Sequence, residues 1–234
     1  MIDYTGKKIL VTGGTKGIGK KLVEDFFILG GTVWHTGRDK SDKKNYLSVD
    51  FNDKKSSEKF LKTISLMDFD VLVNNAGTNK IGKVTEYSVE DYEKIIHLNL
   101  TSCFETIKAV LPNMQKSGYG RIVNITSISS EISMPLRSAY CSSKFGLVGL
   151  TKATAVEMAN EGILINGVGP GVTRTELTVN VLGEKKMEEI SKRIPMGRLG
   201  EVQDISNVVM FVASSMNTYM VGQNILIDGG YTCI

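Results

Sequence analysis

Cysteine, histidine and proline are scarce in this chain, and each shortage removes a class of function. Cys103, Cys141 and Cys233 are the only cysteines among 234 residues. Being odd in number and without metal-ligand spacing, they read as reduced thiols of a cytoplasmic protein rather than a disulfide framework. The two histidines, His35 and His97, lie far apart in apolar segments. Packing roles suit them better than ligation, and no metal is expected. No apolar run approaches the ~20 residues that a membrane helix needs. The opening MIDYTGKKILVTGG has an acid at position 3 and only a short apolar run, unlike a secretory leader. An excess of one charge is also missing. With 28 basic and 25 acidic side chains scattered along it, the chain carries +3, too little to suggest nucleic acid. Neither a nucleic-acid nor a membrane partner is expected.

What is present is an alternation. Short runs rich in Val, Ile and Leu recur at 8–12, 32–36, 46–50, 70–74, 121–126, 163–167 and 224–228. They are continuous rather than period-two, as in strands covered on both faces. Between them lie helical patterns. Ile18, Leu22, Phe26 and Leu29 form one stripe that ends at Gly30-Gly31, and the longest candidates span 90–115 and 138–160. Seven strands alternating with helices predict an α/β fold, one doubly wound and mostly parallel sheet with helices on both faces. No linker or repeat interrupts it, so residues 1–234 form a single domain. Residues 175–200 alone break the alternation, as a helical excursion after the sixth strand.

The first strand runs into TGGTKGIG (12–19) and then a helix. Gly13, Gly17 and Gly19 are spaced for a tight turn, for a backbone approaching a diphosphate, and for close helix–strand contact. Thr15, Lys16 and Ile18 fall within the same turn, where the helix N-terminus supplies amide donors. At the end of the second strand, a carboxylate would bind the adenosine ribose of NAD. Gly37 stands there instead, leaving room, and Arg38 follows. Arg38 and Lys16 can meet a 2′-phosphate, so NADP(H) is expected over NAD(H).

In SAYCSSK (138–144), Tyr140 and Lys144 are four apart and share a helix face. Alone, that spacing is equally an ordinary surface pair. With TGGTKGIG, NNAG (74–77), Asn99, Ser127, NGVGPG (166–171) and GQNILIDGG (222–230) in order, the chain resembles the short-chain dehydrogenase/reductase family over nearly its whole length. The resemblance implies a Rossmann-type domain and an oxidoreductase exchanging hydride between NADP(H) and a carbonyl or secondary alcohol. It implies Tyr140 as general acid or base, and Lys144 as the group that binds the nicotinamide ribose and favours the phenolate. Ser127 would hydrogen-bond the substrate oxygen, and Asn99 would help hold a water relay to the lysine. Asp50 would contact adenine, Asn75, Ala76 and Gly77 would wall the adenine-ribose pocket, and Pro170, Gly171, Val172 and Thr173 would shape the nicotinamide site. Asn74, Asn166 and Asp228 fall to architecture. Family members commonly form homotetramers, or homodimers, through the two long helices and the last strand region. The apolar ending GGYTCI suits such burial.

The substrate is expected to lie against 128–139 and beneath a lid formed by 175–200. There Met134, Leu136 and Leu177 are pocket walls or lid packing, and Arg137 is a solvated charge or an anion partner. Many relatives are 3-oxoacyl-carrier-protein reductases, which makes that activity the alternative to a general small-molecule carbonyl reductase. Two departures argue against it. Ala139 stands where those enzymes place asparagine, and Glu161 stands where they place a basic residue facing an acidic carrier protein. A non-catalytic dinucleotide-binding regulator is a remoter alternative, since all four catalytic positions are kept.

Overall fold

The computed structural model describes the backbone of residues 1–234 and all side chains except those of Leu177, Asn180, Val181 and Leu182. The elements run β1 (Lys8–Val11), α1 (Gly17–Ile28), β2 (Thr32–Gly37), β3 (Tyr46–Ser48), α2 (Lys54–Ser65) and β4 (Val71–Asn74). Then come α3 (Val89–Ile96), α4 (Ser102–Ser117), β5 (Gly120–Ile125), α5 (Ser138–Met158) and β6 (Ile163–Pro170). The chain finishes with β7 (Thr173–Arg174), α6 (Glu176–Ser191), β8 (Gly200–Glu201), α7 (Val202–Val212) and β9 (Asn224–Ile227).

Seven strands form one sheet in the order β3-β2-β1-β4-β5-β6-β9, and every pairing is parallel. Alternate residues of each strand serve opposite faces. Ile9 and Val11 pack with Leu22 and Phe26 of α1 and Ile205 and Val209 of α7. Leu10, between them, packs with Phe60 and Ile64 of α2 and Ile107 and Met114 of α4. Continuous apolar strands are therefore what two covering layers demand. Fully burying each such side chain contributes about 1.5–3 kcal/mol. The strand order reverses on either side of β1, so the crevice beyond the carboxyl ends of β1 and β4 is the natural ligand cleft.

Two predicted elements come out differently. The single helix expected over 90–115 is helical from Val89 to Ser117, but it carries a π-turn at His97–Thr101 between α3 and α4. The 175–200 excursion is helical, but α6 is kinked at Gly183 (φ 71°, ψ 161°). A two-stranded sheet at its base pairs Thr173 with Gly200 and Arg174 with Glu201. Strands of two residues carry no periodic signal, which is why the sequence did not announce them.

Candidate active site

The glycine-rich turn is built by what the glycines omit. Gly13 has φ +66°, and a Cβ there would sit 3.0 Å from Ala76 Cα. A Cβ on Gly19 would fall 2.2 Å from Gly13 O and 2.4 Å from Asn75 Nδ2. Gly17 (φ +51°) meets only Thr175, at 3.4 Å, so backbone can be approached closely there. Lys16, the residue before α1, provides no side-chain cap, and the first turn holds no acid. The orphan amides of the helix start thus remain directed at an anion. A dinucleotide diphosphate fits this cradle.

Gly37 corrects the sequence reading. A Cβ there would lie 2.6 Å from both Thr15 Cγ2 and Tyr46 Oη, so the space is filled by those side chains rather than left for a ligand. Tyr46 is fixed in turn by donating to Asp39 O at 2.6 Å. Arg38 and Lys16 are both exposed, with no ion-pair partner among the described residues. Asp50 does not end β3 but stands two residues beyond it. Exposed there, it accepts from Asn52 N at 2.9 Å.

After β4 the NNAG loop is locked to the turn. Thr12 Oγ1 accepts from Asn75 N and Ala76 N at 2.9 and 3.0 Å, and Asn75 Nδ2 donates to Thr12 O and Gly13 O at 3.0 Å. Asn99 is fully buried in the π-turn. Its Nδ2 donates to Thr78 O (2.9 Å) and Ser143 Oγ (3.0 Å), while its Oδ1 accepts from Thr78 N (2.8 Å). The side chain therefore clamps the end of the NNAG loop to α5. Gly77 packs against it, with a Cβ position 3.2 Å from Asn99 Oδ1.

α5 buries Ala139, Ser143, Leu147, Thr151 and Ala155, one residue per turn. That stripe turns the neighbouring Tyr140 and Lys144 toward the end of β5. Lys144 is 5% exposed, and its Nζ donates to Ile125 O at 2.7 Å. The same Nζ lies 5.7 Å from the Tyr140 ring centroid. Ser127 follows β5 in extended backbone, and its Oγ accepts from Ser129 N at 3.1 Å, which leaves its own O–H to donate. An ammonium, a phenol and a hydroxyl donor thus share one strand end.

A family model described as enoyl-(acyl carrier protein) reductase matches residues 13–232. The 3-oxoacyl-[acyl-carrier-protein] reductase FabG of Haemophilus influenzae is 36% identical, covering 96% of this chain and 98% of that one. The chain belongs to the short-chain dehydrogenase/reductase family. A 3α-hydroxysteroid dehydrogenase of Mediterraneibacter gnavus is 35% identical, covering 95% of this chain and 96% of that one. The crystal structure of a gluconate 5-dehydrogenase from Burkholderia cenocepacia in complex with NADP and tartrate has a TM-score of 0.92 at 26% identity, covering 100% and 98% of the two chains.

As a short-chain dehydrogenase/reductase the protein is an oxidoreductase. The remaining expected positions lie around the carboxyl end of β6 and in the 128–139 segment. Pro170 ends β6, and Gly171 passes so close to β9 that a Cβ would lie 2.7 Å from Asp228 Cα. Val172 O accepts from Gly200 N at 3.0 Å, and Thr173 Oγ1 donates to Gly171 O at 3.1 Å. Leu136 has φ +65° and is exposed, a strained conformation for leucine in the segment assigned to substrate. Met134 Sδ accepts from Ser129 Oγ at 3.7 Å. Leu177 lies outside the described side chains.

The architectural assignments hold. Asn74 bridges Asn124 and Thr106 at 2.9 and 2.7 Å. Asn166 spans Met220 O and Gln223 N, and Asp228 accepts from Gly230 N, Thr232 N and Thr232 Oγ1. Burial pushes the Asp228 carboxyl up, but these donors outweigh it and hold it below the ordinary carboxylate value. All three cysteines are free, and burial raises Cys103 to about 11. His97 bonds Phe51 O at 2.8 Å, and the described residues contain no cluster able to hold a metal. Thr12 and Ser143 were not singled out from the sequence. Both are short hydroxyl side chains inside recognised motifs, and only their partners, distant in sequence, reveal their work.

Proposed function

We propose that the protein interconverts a carbonyl and a secondary alcohol by hydride exchange with NADP(H), with Tyr140 as the proton-transferring group. The observation that carries this is the buried Lys144 ammonium, tied by one hydrogen bond to Ile125 O at 2.7 Å and standing beside the Tyr140 ring. One carbonyl uses one of its three donors; the others suit ribose hydroxyls. The bound dinucleotide supplies or takes the hydride. Charge left on the substrate oxygen meets the Ser127 O–H, and Tyr140 delivers or removes the proton. A nearby ammonium stabilises negative charge on the phenolic oxygen. Asn99 acts as a positioning residue, holding the NNAG loop to the catalytic helix. Arg38 and Lys16, exposed beside the cradle, support a preference for the 2′-phosphate, in keeping with the NADP named for the gluconate 5-dehydrogenase.

The substrate we infer is a polar small-molecule ketone or alcohol, bound between 128–139 and a lid formed by 175–200, in a cytoplasmic homotetramer. Reduction of a 3-oxoacyl group on a carrier protein is the second reading, favoured by the Haemophilus relative. One argument against it weakens. Glu161 immediately precedes Gly162 and the start of β6, at the end of a parallel sheet opposite the catalytic side chains of its own chain. The deciding experiment follows NADPH and NADH oxidation with a ketone panel and with acetoacetyl-carrier protein. NADPH is expected to be preferred, free polar ketones to give the higher kcat/KM, and Tyr140→Phe to lower kcat by ~10²–10⁴-fold with NADPH binding kept. Full activity in Tyr140→Phe would refute the mechanism; efficient turnover of the carrier-bound substrate would reverse the substrate ranking.

A further inference from the structure

Away from the catalytic cleft, α2, α3 and α4 line a second cavity of about 560 Å³ that opens to the surface. Phe51 and Leu61 give it an apolar wall. Two of its lining side chains, Ser57 and Glu105, carry buried oxygens, Oγ and Oε2, that have no hydrogen-bond partner. Ser57 is only 5% exposed. Native proteins satisfy nearly all such atoms, so each unpaired one asks what occupies the space in front of it.

The charge of the cavity says what kind of occupant is missing. Glu58, Glu90 and Glu93 at its rim join Glu105 to make four carboxylates, against the ammoniums of Lys54 and Lys94. Lys54 already stands 3.9 Å from Glu58. His97, also in the lining, spends Nε2–H on Phe51 O at 2.8 Å. The unmet demand is for hydrogen-bond donors bearing positive charge. A bare metal ion suits the site poorly, since among the described residues no three of these carboxylates converge closely enough to hold one.

We propose that this cavity binds an aliphatic di- or polyamine. One ammonium would donate to Glu105 Oε2 and Ser57 Oγ, the methylenes would lie along Phe51 and Leu61, and the rim carboxylates would face the far ammonium. None of these residues belongs to the catalytic set, so the site stands apart from the oxidoreductase chemistry.

Isothermal titration calorimetry of the full chain with 1,5-diaminopentane and with spermidine, at fixed ionic strength and saturating NADPH, tests it. Saturable binding of one amine per chain is expected. It should weaken at least ~10-fold in Glu105→Gln, as the loss of a charge-assisted hydrogen bond implies, and weaken also in Ser57→Ala, with both variants folded by circular dichroism. Binding of 1-pentanol as tight as the amines, no amine heat, or an unchanged affinity in Glu105→Gln would each overturn the proposal. So would absence of amine binding together with a Glu105→Gln chain whose mass by light scattering falls, because the carboxylate would then serve a second copy.

Discussion

Tyr140 and Lys144, the pair proposed for proton transfer, are held to different degrees by the fold. Lys144 is buried and anchored at 2.7 Å, while Tyr140, one turn earlier, is half-buried at the cleft. Gly19 is closely confined in the cofactor cradle. An added methyl would lie 2.2 Å from a backbone oxygen and 2.4 Å from Asn75 Nδ2, and that amide is itself held by its bonds to Thr12 O and Gly13 O. Gly19→Ala is therefore expected to push the turn away from the NNAG loop. NADPH affinity should fall at least tenfold, and stability by about 1–3 kcal/mol, the usual cost of overpacking. Fluorescence titration of NADPH and urea unfolding read the two effects. An alanine variant that binds NADPH normally would show that the turn is not the cradle.

At the scale of elements, two junctions tie the layers together. Arg121, at the start of β5, is buried without a carboxylate partner and donates to Ser214 O, Gly120 O, Gly162 O and Asn217 O. Ser214 follows the end of α7, so the guanidinium also meets the negative end of that helix. Tyr119 stacks on it at 4.5 Å and carries Lys7 at 3.8 Å from its ring centroid. Arg121→Leu strands these carbonyls and is expected to cost about 3 kcal/mol in urea denaturation; a change below ~0.5 kcal/mol would show the network to be redundant. The second junction is Asp25 on α1, which accepts from Lys21 Nζ at 2.8 Å, Ser206 Oγ at 2.6 Å and Gln203 Nε2 at 3.2 Å. Burial raises its carboxyl, but the Lys21 and Ser206 hydrogen bonds prevail and hold it below the ordinary carboxylate value. A depressed folded-state pKa stabilises the fold above the unfolded value near ~3.9, and that contribution is lost as pH falls through the lower folded value. Unfolding free energies at neutral pH and near pH ~3 should thus differ more in the parent than in Asp25→Asn. Parallel acid profiles would remove Asp25 from the account.

For the whole molecule, the faces left uncovered matter most. Phe104 on α4 and Phe145 and Val156 on α5 are 48, 45 and 78% exposed, and Tyr219 and Ile234 near the C-terminus are 96 and 90% exposed. Exposed apolar groups of this size are what the proposed assembly would cover. A particle of four chains is expected by light scattering at micromolar concentration. Phe145→Glu should reduce it to dimers or monomers with the fold retained, and a monomeric parent would dismiss the assembly.

The alternation of strands and helices, the glycine turn and the Tyr-Lys pair were legible in the sequence because each is written in local chemistry: strand burial, a turn that needs glycine, a four-residue helical spacing. Seven strands and the stripe through Leu22 and Phe26 follow from that alone. Contacts across dozens of residues decided the rest. Only the packed sheet reveals that Tyr46 and Thr15 occupy the space beside Gly37 and that Ser143 holds Asn99 across a π-turn. Only the parallel strand direction puts Glu161 at the end of the sheet away from Ser127, Tyr140 and Lys144. The cavity lined by α2, α3 and α4 is of the same kind: its wall comes from segments separated in the chain, and no window of sequence contains it.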